Sequence, residues 1–485
     1  MNTRPNSAGG RLRWQKVYRE AELYKAAVRV YTRPLFHWRK ALNTSADGKT
    51  LYDLASRGLR GLDAIHSALA SGHFSFRPSV GLKYNFNGKR RTLYIPPWEE
   101  RIVDLLLYRI LNQRLHFWFS PRSFSYRDNT YSLDTCQSQI ASVLRSARGP
   151  LYLVKRDISD YFASIDHKIL LVQLAQQVDP NDYLFELLRQ RIEFVYQDEI
   201  GTHQAAVGVP FGCASACVFS NIYLTGLDRA IAGIAGVHYF RYADDLLLLS
   251  QDRDCALLAR EQVARILGEL KLTTKASHDT NACVSSDRMV DLEFKAVCEF
   301  RHLGLSFHAA GGVSLSRDKR RKIQNLFRFA FRRKRRSWTK ITDPRERART
   351  LAAIAADTIE RGVRNVAIVD YYLKHVTDVG QLRAIDRWLA EEILSLVFGG
   401  HKKGHFAKLK FSTLRELGLP SLVHRQRLIL HGHTESSFFL WQQQKTIRAF
   451  RGTVASPTAA TRGLRTSLRT QKQQPAEPVR EGGCL

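Results

Sequence analysis

Apolar positions recur along this chain at two spacings, and the switches between them mark out its elements. In "EAELYKAAVRVYTRPLFHWRKAL" and "LYDLASRGLRGLDAIHSALASG", within residues 21–75, apolar residues return every three or four positions, which predicts helices. "FSFRPSVGLKYNFNGKRRTLYIPP" alternates instead around "NFNGKRR", the pattern of a hairpin with Asn-Gly at its turn. "EERIVDLLLYRILNQRLHFWF" is helical again. "GPLYLVKRDIS" and "VHYFRYADDLLLLS" read as strands, separated by helical stretches at about 166–195 and 215–232. A helix at about 254–270 follows, then a short strand in "EFRHLGLSF", and the chain from about 316 to 440 is mostly helical. Residues 1–20 are polar and basic and predict a flexible arm. Residues 453–485 hold few large apolar side chains, so the expectation there is disorder.

Composition changes this picture in one respect. An apolar fraction of 44% over 485 residues is enough for a sizeable core, but 75 Lys and Arg against 45 Asp and Glu leave a formal net charge of +30. The excess is concentrated: residues 316–349 hold 15 Lys and Arg against 3 acids, including "RDKRRK" and "RRKRR". A polyanion, and nucleic acid in particular, is the expected partner. The seven cysteines form no paired Cys-x-x-Cys set, which fits reduced thiols in an intracellular, cytoplasmic protein better than a zinc site. There is no apolar signal core at the start and no run of about 18 apolar residues to span a bilayer, so no membrane association is expected.

The acidic positions are the candidate chemistry. "LYLVKRDISDYF" brings Asp157 to the end of one strand, and "FRYADDLLLLS" places Asp244 and Asp245 at a tight turn ahead of four leucines. Carboxylates converging from separate strand ends repel in a low-dielectric site unless cations neutralise them. Oxygen-only ligands suit Mg²⁺, with Mn²⁺ as a substitute, and two such ions about 3.5–4 Å apart serve nucleotidyl transfer. An Asp-Asp pair alone is more often a solvated turn than a metal site; the surrounding segments decide.

Those segments resemble the bacterial reverse transcriptases, the group of group II intron, retron and defence-associated enzymes. "YADD", Tyr242 to Asp245, looks like the Tyr-x-Asp-Asp box, and "RDISDYFASIDH" like the preceding palm motif. "GVPFGCASACVFSNIYLTGLD" resembles the Gly-x-Pro-Gln-Gly segment with its Asn-Ile-Tyr-Leu helix. "NGKRRTLYIPPWEERIVDLLLYRIL", "SPRSFSYRDNTYSLD" and "FRHLGLSF" are similar to the finger hairpin, the next finger block and the primer grip. The blocks stand in order from about 74 to 307. The resemblance implies an α+β fold, a right-hand polymerase with fingers and palm followed by a helical thumb and a helical C-terminal extension. The boundaries it implies are 21–150 for N-terminal helices and fingers, 151–312 palm, 313–375 basic thumb and 376–452 extension.

By the same resemblance Asp157, Asp244 and Asp245 would be catalytic metal ligands. Phe162 would be the steric gate that favours dNTPs, against the alternative of a core aromatic. Lys89, Arg90 and Arg91 would hold the triphosphate, against a solvated basic turn. His302, Leu303 and Gly304 would form the primer grip, while Arg101 would contact template or phosphate or else pair with Glu99 or Glu100. Tyr371 and Tyr372 would either stack on bases or pack in the core. Two departures stand out. Phe211, before Gly212 in the nucleotide-binding segment, replaces the usual Gln, and the general acid would be either Lys275 or His278, against the alternative of plain surface residues.

The function implied is RNA-directed DNA synthesis on an RNA template, from dNTPs, in bacterial antiphage defence. A retron-type enzyme working on a dedicated non-coding RNA is the nearest rival, and a partner protein is compatible with either. An intron maturase-like protein and a non-catalytic RNA-binding scaffold are the further alternatives.

Overall fold

The computed structural model describes residues 10–34, 37–86, 89–286, 291–360, 370 and 372–432. Residues 1–9 of the arm, the Asn87-Gly88 turn, Tyr371 and everything from 433, including the tail at 453–485, lie outside the described residues. In chain order the strands are β1 (Ser79–Phe86), β2 (Lys89–Ile95), β3 (Leu151–Asp157), β4 (Val195–Gln197), β5 (Thr202–Gln204) and β6 (Val237–Tyr242). They continue with β7 (Asp245–Ser250), β8 (Thr280–Val284), β9 (Lys295–Val297), β10 (Glu299–His302), β11 (Leu305–His308) and β12 (Val313–Leu315).

The central sheet has the order β6-β7-β3-β8-β9. Its middle explains the run of four leucines. Leu246 and Leu248 enter one hydrophobic core and Leu247 and Leu249 the other, because successive strand residues point to opposite faces. A strand covered on both sides reads as a continuous apolar run. On one face lie the helices Ala214–Ala232 and Trp98–Arg114 with the N-terminal helices. On the other lie the helix Leu133–Ser146, the β10-β11-β12 sheet and the C-terminal helices. The architecture is α+β, as expected.

The finger sheet, β2-β1-β4-β5, contains the predicted hairpin, but β1 also pairs parallel with β4, joining Ser79 to Tyr196 and Val80 to Gln197. The pattern predicted helix up to 195 and gave no sign of β4 and β5, each three residues long.

Residues 10–20 correct the expectation of a loose arm. Trp14 is 5% exposed, its indole N–H donates to the Leu69 carbonyl at 3.0 Å, and its backbone N–H donates to Asp182 at 2.7 Å. Leu12 bridges to Val178, and Arg13 pairs with Asp179 at 2.8 Å. One large aromatic side chain outweighs its polar surroundings by the apolar area it buries.

The helix Arg317–Arg333 divides its faces as its composition requires. Ile323, Phe327 and Phe331 are buried, while Arg320, Arg321, Lys322, Arg332 and Arg333 are exposed. Phe329 is the exception among its aromatics, 55% exposed. This helix and the helix Val379–Phe398 share one core with β10–β12, so no break in packing follows the boundaries drawn at 312 and 375. Among the described residues no helix is long and apolar enough to cross a membrane.

A polar contact fastens the C-terminal helices to the sheet layer. Asp134, in the first turn of Leu133–Ser146, accepts from His375 and Lys374 at 2.5 Å each. Burial pushes the Asp134 carboxyl up, but the hydrogen bonds from His375 and Lys374 outweigh it, and the net pKa lies below its ordinary value. A carboxyl depressed in the folded state contributes stability above its unfolded pKa, about 3.9, and loses that contribution as pH falls through the folded value. Asp134→Asn should therefore flatten the acid limb of a thermal-melting profile below about pH 4. Parallel profiles for the two proteins would remove Asp134 as a contributor.

Candidate active site

Asp157 ends β3 and Asp245 begins β7, and the two are direct cross-strand partners. Asp244 lies in the two-residue turn that Tyr242 and Asp245 close. The other central residue of this turn, Ala243, has φ +56°, a left-handed conformation that costs an L-residue roughly 1–2 kcal/mol. The surroundings hold it there. The Ala243 N–H donates to Ser125 Oγ at 2.8 Å, its carbonyl accepts from Arg241 at 3.2 Å, and the Asp244 carbonyl accepts from the Ile158 N–H at 3.2 Å.

Arg241 is fully buried. Its guanidinium donates to both oxygens of Asp228 at 2.7 and 2.6 Å, to Asn221 Oδ1 at 3.1 Å and to Ser123 Oγ at 2.8 Å. Asp228 also accepts from the Tyr239 hydroxyl at 2.9 Å. Asn221 and Asp228 lie on one helix, so the turn that carries Asp244 is fixed from behind by a buried polar network. A second buried carboxylate, Asp104, caps that helix: it accepts from the Ala214 and Ser215 N–H groups at 2.6 and 3.2 Å and from Arg191 at 3.0 Å.

The acidic cluster has two lysines and a histidine against it. Asp157 Oδ2 accepts from Lys275 at 2.9 Å and from His278 Nδ1 at 2.8 Å, and Lys155 Nζ stands 3.6 Å from Asp245. Lys275 and His278 were alternatives in the sequence; both meet the same oxygen. Burial acts to raise the Asp157 carboxyl, but these two hydrogen bonds hold it below its ordinary value. Asp244 and Asp245 are raised instead, by burial first and by their acidic neighbours in addition.

Among the described residues no three His, Cys, Asp or Glu side chains form a ready-made metal cage. Mg²⁺ does not need one, since it is usually held by one or two carboxylates with waters and substrate phosphates completing its shell. The donor chemistry fits: carboxylates from two strand ends and the turn between them, with two amines in place as counter-charges and an imidazole hydrogen-bonded beside them. Asp157 and Asp245 border a groove of about 810 Å³ that runs past Lys155 and His278 to Phe300 and Arg301.

Phe162 is half-buried in a set of rings, edge-on to Tyr126 at 6.1 Å, Tyr161 at 5.8 Å and Phe211 at 5.7 Å. Arg91 lies over the Phe211 ring at 5.3 Å. Arg90 and Arg91 are consecutive on β2 and so face opposite sides of the finger sheet, Arg90 outward to solvent. The Lys89 side chain lies outside the described residues. Arg101 sits over the Trp98 ring at 5.3 Å; Glu99 and Glu100 pair with Arg57 and Arg77 instead.

The expected primer grip needs correction. His302 is 1% exposed, and neither ring nitrogen has a hydrogen-bond partner among the described residues. Burial, with Lys155 nearby, lowers its pKa to about 3, so it is a neutral core group that cannot reach a strand in the groove. The alternation of β10 puts His302 inward while Arg301 is exposed. Leu303 and Gly304 form the tight turn to β11, with φ +49° and +86°, and the Leu303 carbonyl accepts from Gln137 at 2.9 Å. A Cβ on Gly304 would lie 2.5 Å from Lys319 Cε and 3.0 Å from the Tyr372 hydroxyl, so a side chain there would displace the lysine, and the φ of +86° favours glycine in any case. Tyr372 itself is buried, with the Lys319 ammonium 4.6 Å over its ring.

Sequence reasoning missed Lys155, Tyr126 and the network of Asn221, Asp228 and Arg241. For Lys155 a signal existed: it lies two residues before Asp157 on one strand and therefore on the same face.

Comparison with known proteins places this geometry in a family. Residues 82–305 match the family described as "Reverse transcriptase (RNA-dependent DNA polymerase)". The chain is 27% identical over 245 residues to the retron Ec83 reverse transcriptase of Escherichia coli, covering 49% of this chain and 71% of that protein. Among solved structures it is similar to a telomerase from Candida albicans in complex with a fragment of telomeric RNA, with 10% identity, TM-score 0.42 and coverage of 80% and 70%. It is also similar to an apo telomerase from Candida tropicalis truncated from the C-terminal domain, with 10% identity and TM-score 0.40, over 50% of this chain and 55% of that one. The chain thus spans about half the length of the latter, and both likenesses are too distant to bear on function. The matched segment runs from the finger hairpin through both aspartate strands to β11, so residues 82–305 form a domain that matches the reverse transcriptase family.

Proposed function

We propose that this enzyme extends a primer on an RNA template at a centre built from Asp157, Asp244 and Asp245. The observation that carries the reading is the cross-strand pairing of Asp157 with Asp245 beside the turn that holds Asp244, with both paired aspartates lining one groove. Asp157 and Asp244 would hold Mg²⁺, with Asp245 less directly. Two bound ions supply charge neutralisation there and polarise the attacking and leaving oxygens.

The chain's own groups do the rest. Lys155 and Lys275 balance the carboxylates before nucleotide arrives, and His278 is hydrogen-bonded to Asp157. Lys275 or His278 then gives a proton to the departing pyrophosphate, work that suits an amine or imidazole already hydrogen-bonded at the centre. Arg91 holds the triphosphate, and the exposed cations of Arg317–Arg333 follow the backbone of the duplex, each phosphate contact adding a salt-dependent increment. Phe162 lies beneath the sugar and excludes a 2′-hydroxyl.

Purified protein given an RNA template, a DNA primer, dNTPs and Mg²⁺ should extend the primer, and chelation should stop it. Phe162→Ala should narrow the preference for dNTP over NTP by about tenfold or more, the value of roughly 1.4 kcal/mol of lost steric discrimination. Equal preference in both proteins would remove Phe162 as the gate.

The similarity to a retron reverse transcriptase supports a second reading, in which the template is a dedicated non-coding RNA and the product stays joined to it. Sequencing the nucleic acid that copurifies separates the two: one recurrent RNA joined to DNA favours the retron type, a mixed population the general polymerase. A role in antiphage defence adds that phage plating should rise when Asp244→Asn replaces the native protein in its host. Unchanged plating would leave the polymerase without that role.

A further inference from the structure

Phe211 stands at the seam between the fingers and the central sheet. Its carbonyl accepts from the Tyr94 N–H of β2 at 3.0 Å, and the next residue, Gly212, has φ +101°. A Cβ on Gly212 would approach Leu93 Cδ1 to 2.4 Å, so the segment is pressed against β2 at a position where only glycine fits. The Phe211 ring then has two neighbours of different kinds. One is the edge of Phe162, with centroids 5.7 Å apart and planes at 74°; the other is the Arg91 guanidinium, 5.3 Å over the ring face.

The way an arginine is held decides what it can still bind. A carboxylate partner engages the N–H groups in the guanidinium plane, whereas an aromatic face takes the flat side and leaves those donors available. Among the described residues Arg91 has no ion-pair partner, in contrast to the arginines of this region that are paired, Arg57 and Arg77 with Glu99 and Arg77 also with Glu100. Arg91 is half-buried, so it is oriented as well as charged.

We propose that Phe211 is a positioning residue for the incoming nucleotide: its ring face orients Arg91 as a phosphate receptor with its N–H donors unconsumed, and its edge links that receptor to Phe162. This rests on the reading above that Arg91 meets the triphosphate. An amide at position 211 would offer Arg91 an oxygen and engage one of those donors, so the aromatic ring changes how the cation is presented. Pre-orienting a receptor lowers the cost of binding without adding a contact to the substrate.

The test is a double-mutant cycle read in KM for dNTP and in the dissociation constant of inorganic tripolyphosphate, which has no sugar or base. Stacking of an arginine on a ring at a partly exposed site contributes about 0.5–1 kcal/mol, equivalent to roughly two- to fivefold. Phe211→Leu should raise both constants by that factor, with a smaller change in kcat. Phe211→Tyr, which keeps the face, should restore them, and Phe211→Leu should add nothing once Arg91→Ala is present. Equal effects of Phe211→Leu with and without Arg91 would overturn the proposal and leave Phe211 as packing. Unaltered constants in Arg91→Ala alone would instead overturn the triphosphate reading on which it rests. A rise in KM for Arg91→Ala with none for Phe211→Leu would keep that reading and reject the role of the ring.

Discussion

Asp244→Asn should reduce nucleotide incorporation by about 10³-fold or more while leaving the protein at least as stable as before. The catalytic half of that expectation follows from the proposed metal ligation, since polarisation by a bound ion accounts for several kcal/mol of a barrier and each 1.4 kcal/mol is tenfold in rate. The stability half follows from where the group sits. Burial, with Asp157 and Asp245 nearby, raises the Asp244 carboxyl above its ordinary value. A carboxyl whose pKa is higher in the folded state costs stability when ionised, so at neutral pH the charge works against the fold. The amide keeps the shape and removes the charge. Steady-state incorporation and a thermal melt on one preparation check both halves. Incorporation within tenfold of the native rate would sink the site assignment, and a large drop in melting temperature would show that the carboxylate serves the fold.

Asp228→Asn has the opposite profile. Here the carboxylate is 0% exposed and faces a guanidinium that is also 0% exposed, joined by two hydrogen bonds of 2.6 and 2.7 Å. Breaking a buried pair from one side leaves an uncompensated charge in the core and costs about 3–5 kcal/mol. Set against a total stability of about 5–15 kcal/mol for an ordinary domain, that is a severe loss. Denaturant titration should show it, and activity should fall with it, because the same guanidinium holds the Ala243 carbonyl in the turn. The double replacement Asp228→Leu with Arg241→Met should recover much of the stability, as apolar substitutes for buried pairs often do. A single variant as stable as the native protein would mean that the network is incidental to the turn.

What was legible in the sequence depended on range. The finger hairpin was readable because period-two alternation and turn chemistry act within a dozen residues, and β7 because a continuous apolar run behind a tight acidic turn reads as a buried strand. The Asp157–Asp245 pairing was readable only as two strand ends with acidic residues, and the ordered motifs supplied the link between them. The pairing of β1 with β4 crosses more than a hundred residues and left no local mark. Trp14 was hidden by its neighbours: a basic, polar stretch predicts a solvated arm, and a single indole anchored to Leu69 and Asp182 reversed that. His302 was read from its motif position and proved to be inside, since motif position says nothing of strand face. Lys275 and His278 looked like alternatives because alignment assigns one residue to one role, whereas a carboxylate oxygen can accept from two donors.

The position of β3 in the middle of the central sheet also sets an order of events during synthesis. β3 pairs with β7 on one side and β8 on the other, so Asp157 has neither neighbouring strand until residues 245–250 and then 280–284 have left the ribosome. At about 5–20 residues per second, that leaves the apolar stretch of β3 with two unpaired edges for several seconds or more. Pairing across such separations is slow, because loop closure precedes the contacts that stabilise it. A nascent chain truncated before 245 should therefore be a preferred client for chaperones, and one extended past 284 should lose that preference.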